Sequence, residues 1–256
     1  MEFGICGGID SLQSIKKSGA DYIESTVVGA CSMSEEKRND FHNLLLKHKI
    51  CCAAFNVLFP GDLPLTGPGA EPKKINNYLD ESFSQISVFS PSVVVFGSGQ
   101  ARKKPDGYAT DKAFDQLVGV GRAAALEAKK HGFAIAFEAL NSNETNLINN
   151  LIEAKKLVQA VNEKNFGMVA DIFHMQIENE PPEHINECSQ YINHIHVATK
   201  KGRKFPFQSD ETELKPYFQA LFNINYKGLV SIEAQTENLE HDAFVSLKLL
   251  RSWLPQ

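Results

Sequence analysis

Eight times along this chain a short β-branched or apolar run gives way to a turn signal and then to a helical stretch. The runs are Glu2–Cys6, Tyr22–Thr26, Ile50–Asn56, Val93–Gly97, Ala134–Leu140, Phe166–Asp171, His194–Ala198 and Leu229–Glu233. The helical patterns between and after them are Asp10–Ser18, Ser34–His48, Glu71–Phe89, Asp111–His131, Asn146–Asn162, Pro182–Tyr191, Glu211–Phe222 and Leu239–Leu254. Strands joined through helices pair in parallel. Eight such pairs in 256 residues fit a closed (β/α)8 TIM barrel, whose usual size is about 250 residues. No Pro/Gly/Ser-rich linker divides the chain, so residues 1–256 are expected to form one barrel domain of the α/β class. An open doubly wound sheet is the competing architecture, and Gly119-Val120-Gly121-Arg122-Ala123-Ala124 superficially supports it. A dinucleotide fingerprint must follow a strand and open a helix; this segment lies inside a helical run that begins near Asp111.

Composition removes several function classes. Lys and Arg total 26 against 31 Asp and Glu, a net charge of −5, which opposes a protein held to nucleic acid by its overall field. Apolar stretches such as Ser92–Phe96 fall far short of the roughly 18 to 20 residues that cross a bilayer. The start MEFGICGG lacks a basic lead and a long apolar run, so the cytoplasm is the expected compartment. Five cysteines with no C-x-x-C spacing suit reduced thiols, with Cys6, Cys51 and Cys52 expected to pack as small apolar residues.

The chemistry gathers at the strand ends. Side chains alternate faces along a strand, and one face of a barrel strand fills the interior. Glu138 shares its face with Ala134 and Ala136, which are small enough to point inward. The same parity pairs Asp171 with Val169, His196 with His194, and Glu233 with Ser231. Two Glu, one Asp and one His thus converge at carboxyl ends of consecutive strands, where barrel enzymes build their active sites. This donor set suits one divalent ion, Mn2+, Mg2+, Co2+ or Zn2+. A single acid after a strand more often caps a helix, and a single histidine often sits satisfied in the core; four consecutive strands agreeing weigh against both.

The ordered segments FEALNSNET, ADIFH, HIHVAT and VSIEAQ resemble the fifth to eighth strand ends of the xylose-isomerase-like barrels, especially the branch of ketose 3-epimerases and hydroxypyruvate isomerases. The resemblance implies metal ligands at Glu138, Asp171, His196 and Glu233. It also implies substrate-oxygen contacts from Glu144, six positions after Glu138, and His174, three after Asp171. An Arg completes the family's polar network; Arg203 stands seven positions after His196, a spacing that resembles the hydroxypyruvate-isomerase branch more than the epimerases. Relatives form dimers or tetramers, so a homodimer or homotetramer is implied.

The expected reaction moves a hydrogen on a carbon beside a carbonyl, with Glu138 and Glu233 as the acid and base on opposite faces. Inversion at C3 of a ketose is favoured, with aldose–ketose exchange, hydroxypyruvate-type substrates included, as the variant. Glu24 is expected to contact substrate or Arg203, and Phe59 to pack on a sugar face or an oligomer contact. Arg102, Lys103 and Lys104, with Lys200 to Lys204, form either a receiver for an acidic or phosphorylated sugar or a solvated basic rim. Rival readings are an abasic-site endonuclease, a dehydratase acting on a cyclic polyol, and a sugar-binding protein without catalysis. The first lacks extra histidines at the third and fourth strand ends, which carry Asn56 and Gly97-Ser98-Gly99.

Overall fold

Val93–Phe96 is buried on both faces, the condition of a parallel strand with helices outside and side chains within. In the computed structural model, which describes residues 1–254, all strands share that setting. They are β1 (Glu2–Cys6), β2 (Tyr22–Thr26), β3 (Cys51–Asn56), β4 (Val93–Phe96), β5 (Ala134–Glu138), β6 (Phe166–Asp171), β7 (Ile192–Val197) and β8 (Leu229–Ile232). They pair in chain order and close β8 onto β1, all parallel. The expected (β/α)8 barrel is therefore the fold.

The interior is filled by Tyr22, Ala54, Val93, Val95, Ala136 and Val169. Tyr22 enters because Gly4 opposite it on β1 has no Cβ, and one added there would lie 2.2 Å from the ring. The opposite strand faces pack against the helices in a larger apolar layer that includes Phe55, Phe96, Phe137 and Phe218. Register then sets the site, because Asp171 stands directly across from His196 on β7, and His196 across from Ser231 on β8.

Local signals read from the sequence behave as expected. Ser34 caps the helix Glu35–His48 by accepting from Lys37 N–H, and Gly132 ends the helix Thr110–His131 with φ +82°. The Gly119–Ala124 segment is interior to that helix. Other boundaries differ. β5 stops at Glu138 and the next helix starts only at Leu151, because residues 139–150 form a loop bound by its own polar contacts. β7 starts at Ile192, and Glu233 lies one residue past β8, its N–H donated to Val197 O at 3.2 Å. Short helices Val27–Ser32 and Ile172–Ile177 follow β2 and β6 directly, and Gly99–Arg102 follows β4 after Gly97 and Ser98. All five cysteines are free, but only Cys52 and Cys188 are buried; Cys51 is exposed at the barrel's amino-terminal end and Cys6 is half-buried at the other. No described helix is long and apolar enough to cross a membrane.

Candidate metal centre

Glu138, Asp171, His196 and Glu233 each bring one ligand-type atom to a common point, all within 4.8 Å of one another. His196 is at the middle, its Nδ1 lying 2.7 Å from Glu138 Oε1, 3.3 Å from Glu233 Oε2 and 3.9 Å from Asp171 Oδ2.

Each side chain is aimed by its element. Asp171 closes β6 and caps the helix that follows, its Oδ1 accepting from Phe173 N–H at 2.7 Å and His174 N–H at 3.3 Å. Capping and site duty coexist because they use different oxygens. Oδ2 is buried without a hydrogen-bond partner and faces the cluster, a costly condition for a carboxylate unless a cation completes it. Glu138 fits because Gly97 at the end of β4 leaves room: a Cβ there would lie 2.4 Å from Glu138 Oε2.

His196 is oriented from below. Its Nε2 contacts Glu24 Oε1 at 2.9 Å, which turns Nδ1 toward the three acids. Glu24 Oε2 in turn meets His194 Nε2 at 2.8 Å and accepts from Ser231 Oγ at 2.5 Å, and Ser231 Oγ lies 2.7 Å from Tyr22 Oη. Glu24 is thus fully buried, with its carboxylate on the two imidazoles and Ser231 rather than on Arg203, contrary to expectation, and it orients the His196 ring. His194 belongs to the same network.

The remaining polar residues expected at the site converge above the cluster. Arg203 Nη2 donates to Glu233 Oε2 at 2.5 Å and lies 3.7 Å from Asp171 Oδ2, while Nη1 is 3.5 Å from Glu144 Oε1. Its guanidinium stacks 4.7 Å over the Phe173 ring. The seven-residue spacing therefore does place this arginine, with the preceding Gly202 at φ +78° and Arg203 itself at φ +49° making the turn. His174 Nδ1 accepts the Asn141 backbone N–H at 3.2 Å, which leaves the ring proton on Nε2, 3.5 Å from Asp171 Oδ2. Asn141 Nδ2 also donates to Glu144 Oε1 at 3.0 Å.

The electrostatics separate the two glutamates. Burial raises the Glu138 carboxyl, only partly offset by His196. Burial would do the same to Glu233, but His196 and Arg203 outweigh it and hold Glu233 below the usual range. Burial alone would also raise Glu24, yet the imidazoles of His196 and His194 pull it well below. His196 is lifted well above its ordinary value because Glu24, Glu138 and Glu233 overcome its desolvation.

Two expectations fail. Phe59 is 1% exposed and packs edge-on against Phe96, 5.0 Å between centroids, and beside Tyr78. Phe96 lies on the outward face of β4, so Phe59 belongs to the layer between barrel and helices, with no surface to offer a sugar or a partner. Arg102 is fully buried, so it is not part of a basic rim; Lys103 and Lys201 are exposed. Sequence reasoning missed Asn56, whose Nδ2 donates to Glu233 Oε1 at 3.0 Å, and Asn141. Both stand at or just past a strand end, the signal by which they could have been found.

Residues 12–253 match the family described as xylose isomerase-like TIM barrel. A probable ketose 3-epimerase of Synechocystis sp. is 29% identical over 151 residues, 59% of this chain and 50% of that protein. A putative hydroxypyruvate isomerase of Homo sapiens is 32% identical over 102 residues, 40% of this chain and 36% of that one. The chain thus spans half or less of the length of these curated relatives. Among solved structures, a D-psicose 3-epimerase crystallised in the presence of D-fructose superposes with a TM-score of 0.87 over 99% of both chains at 17% identity, a likeness of fold.

Proposed function

This chain belongs to the xylose isomerase-like TIM barrel family, and from that premise we propose that it is a divalent-metal-dependent sugar epimerase or isomerase, inverting C3 of a ketose. The observation that carries the reading is the meeting of Glu138, Asp171, His196 and Glu233 at one point, with Asp171 Oδ2 buried and accepting no hydrogen bond. Those four residues would hold the ion. Bound there, Mn2+, Mg2+, Co2+ or Zn2+ supplies electrostatic stabilisation of the negative charge that develops when a C–H beside a carbonyl is deprotonated.

The side chains divide the remaining work. Glu233 receives hydrogen bonds from Asn56 and Arg203, which keep it ionised and fit it to take the proton. Glu138 has burial and fewer donors, and its carboxyl returns a proton to the opposite face. His174 offers its Nε2–H, and Glu144 a carboxylate, to substrate oxygens. Arg203 balances the acids and holds Glu233 in place.

Similarity to the epimerases supports C3 inversion; the hydroxypyruvate isomerase supports the 1,2-shift as the alternative. The same cluster would also serve a dehydratase, which requires a leaving hydroxyl. An abasic-site endonuclease is disfavoured, since Asn56 and Gly97 stand where further histidines would be required.

Solvent deuterium exchange into a panel of ketoses, with each ion added in turn, tests the reading. The expected result is incorporation at C3, lost on chelation and in Glu138→Gln and Glu233→Gln proteins that remain folded. Undiminished exchange in chelated, metal-free protein would overturn it, as would absence of exchange into every ketose by metal-loaded protein.

A further inference from the structure

Among the described residues, Arg102 is the largest side chain the fold buries completely, and no carboxylate pairs with it. Its Nη2 donates to Glu138 O at 2.9 Å and its Nη1 to Leu147 O at 3.0 Å. These carbonyls bracket most of one loop: Glu138 ends β5, and Leu147 stands shortly before the helix that begins at Leu151. Between them lie Asn141 and Glu144, which reach His174 and Arg203. The guanidinium carbon also lies over the Phe137 ring, 4.6 Å from its centroid, a contact from a third side.

The segment carrying Arg102 is anchored independently. Leu65 N–H donates to Ala101 O at 2.8 Å and Thr66 Oγ1 to Lys103 O at 3.0 Å, tying it to the loop after β3. Asn146 and Lys104 exchange hydrogen bonds in both directions, at 2.8 and 2.9 Å. Gly99 permits the close approach, since a Cβ there would stand 3.2 Å from Glu144 O. Beyond Leu147, Ile148 is held at φ +63°, a conformation a β-branched residue adopts only where its surroundings impose it.

Burying a cation costs several kcal/mol, and an apolar side chain could fill the same volume. What an apolar side chain cannot do is gather two carbonyls far apart along one loop segment with planar, divergent N–H groups. We propose that Arg102 is a positioning residue: it clamps the loop 139–147 shut so that Glu138 and Glu144 stand at the metal and substrate positions before either ligand arrives. The proposal rests on the metal-site reading above and adds to it a claim about preorganisation.

The test compares the wild-type protein with Arg102→Lys and Arg102→Met. Lys keeps the charge but reaches one carbonyl; Met keeps the bulk and reaches neither. Mn2+ affinity is measured by titration, kcat and KM on the best ketose, and folding by thermal melting. Loss of groups that orient ligands typically costs about 10- to 100-fold in metal affinity or activity. That range is expected for Met, with a smaller loss for Lys, and with kcat falling more than KM rises. Added guanidinium ion should restore part of the lost activity to Arg102→Ala. Wild-type Mn2+ affinity, kcat and KM in a folded Arg102→Met protein would overturn the clamp while leaving the metal site intact. Failure of the wild-type protein itself to bind Mn2+ would instead remove the reading beneath it. Should the Arg102 variants not fold, hydrogen exchange on metal-free wild type decides. The Glu144 and Thr145 amides, both bonded to Asn141 O, should already be protected, and exchange at open-coil rates until metal is added overturns the proposal.

Discussion

At the scale of single residues, the cluster divides the work between the two oxygens of one carboxylate. Glu24 places one oxygen on His196 and the other on His194 and Ser231, so the ring of His196 has one orientation and one nitrogen facing the acids. Partners of this kind set both the tautomer and the basicity of a ligand histidine. Glu24→Gln keeps the shape and removes the charge that secures the proton on Nε2. Mn2+ affinity should therefore fall roughly tenfold or more in a protein that still folds. Unchanged affinity in titration would show that the imidazole is held by packing alone.

At the scale of elements, Asp171 shows how a strand end and a helix start aim one carboxylate oxygen at the proposed metal position. Its capping bonds freeze the carboxylate, and the freeze is what points Oδ2 inward. Two substitutions separate the tasks. Asn caps helices about as well as Asp, so metal-free Asp171→Asn should melt close to wild type yet bind Mn2+ poorly. Asp171→Ala should lose the ion and, in addition, about 1 kcal/mol of stability. Equal metal-free melting of the two variants would show that the cap contributes little. The four convergent positions were legible because parity along a strand is a strict rule of period two: Ala134 and Ala136 point inward, so Glu138 does too. Phe59 and Arg102 were not legible, because Phe59 lies in a loop and Arg102 ends a helix of only four residues, Gly99–Arg102. No periodicity fixes where a side chain points in segments so short or irregular, so Phe59 entered the core and Arg102 became buried while its neighbour Lys103 stayed in solvent. Glu24 was misread for a related reason. It shares the inward face, but its height in the barrel depends on the register shift between β2 and β3 at Ile23/Glu24, which composition does not reveal.

At the scale of the whole molecule, the barrel gathers three carboxyl groups from β5, β6 and the residue after β8 around one imidazole, a donor set that only the folded chain presents at one point. A ligand bound only by the folded form stabilises it by RT ln(1 + [L]/Kd), about 2.7 kcal/mol at a hundredfold excess over Kd. Domains of this size gain about 2–4 °C per kcal/mol, so a saturating divalent ion should raise the melting temperature by roughly 5 to 11 °C over chelated protein. The rise should depend on ion concentration and nearly vanish in Asp171→Asn, which lacks the anionic oxygen that accepts no hydrogen bond but keeps every other charge. Thermal melting across a concentration series of Mn2+, Mg2+, Co2+ and Zn2+ also ranks the ions by affinity, independently of any substrate. An equal rise in wild type and Asp171→Asn would place the binding elsewhere on the surface, and no rise with any of the four would mean that the acids are balanced by His196 and Arg203 alone.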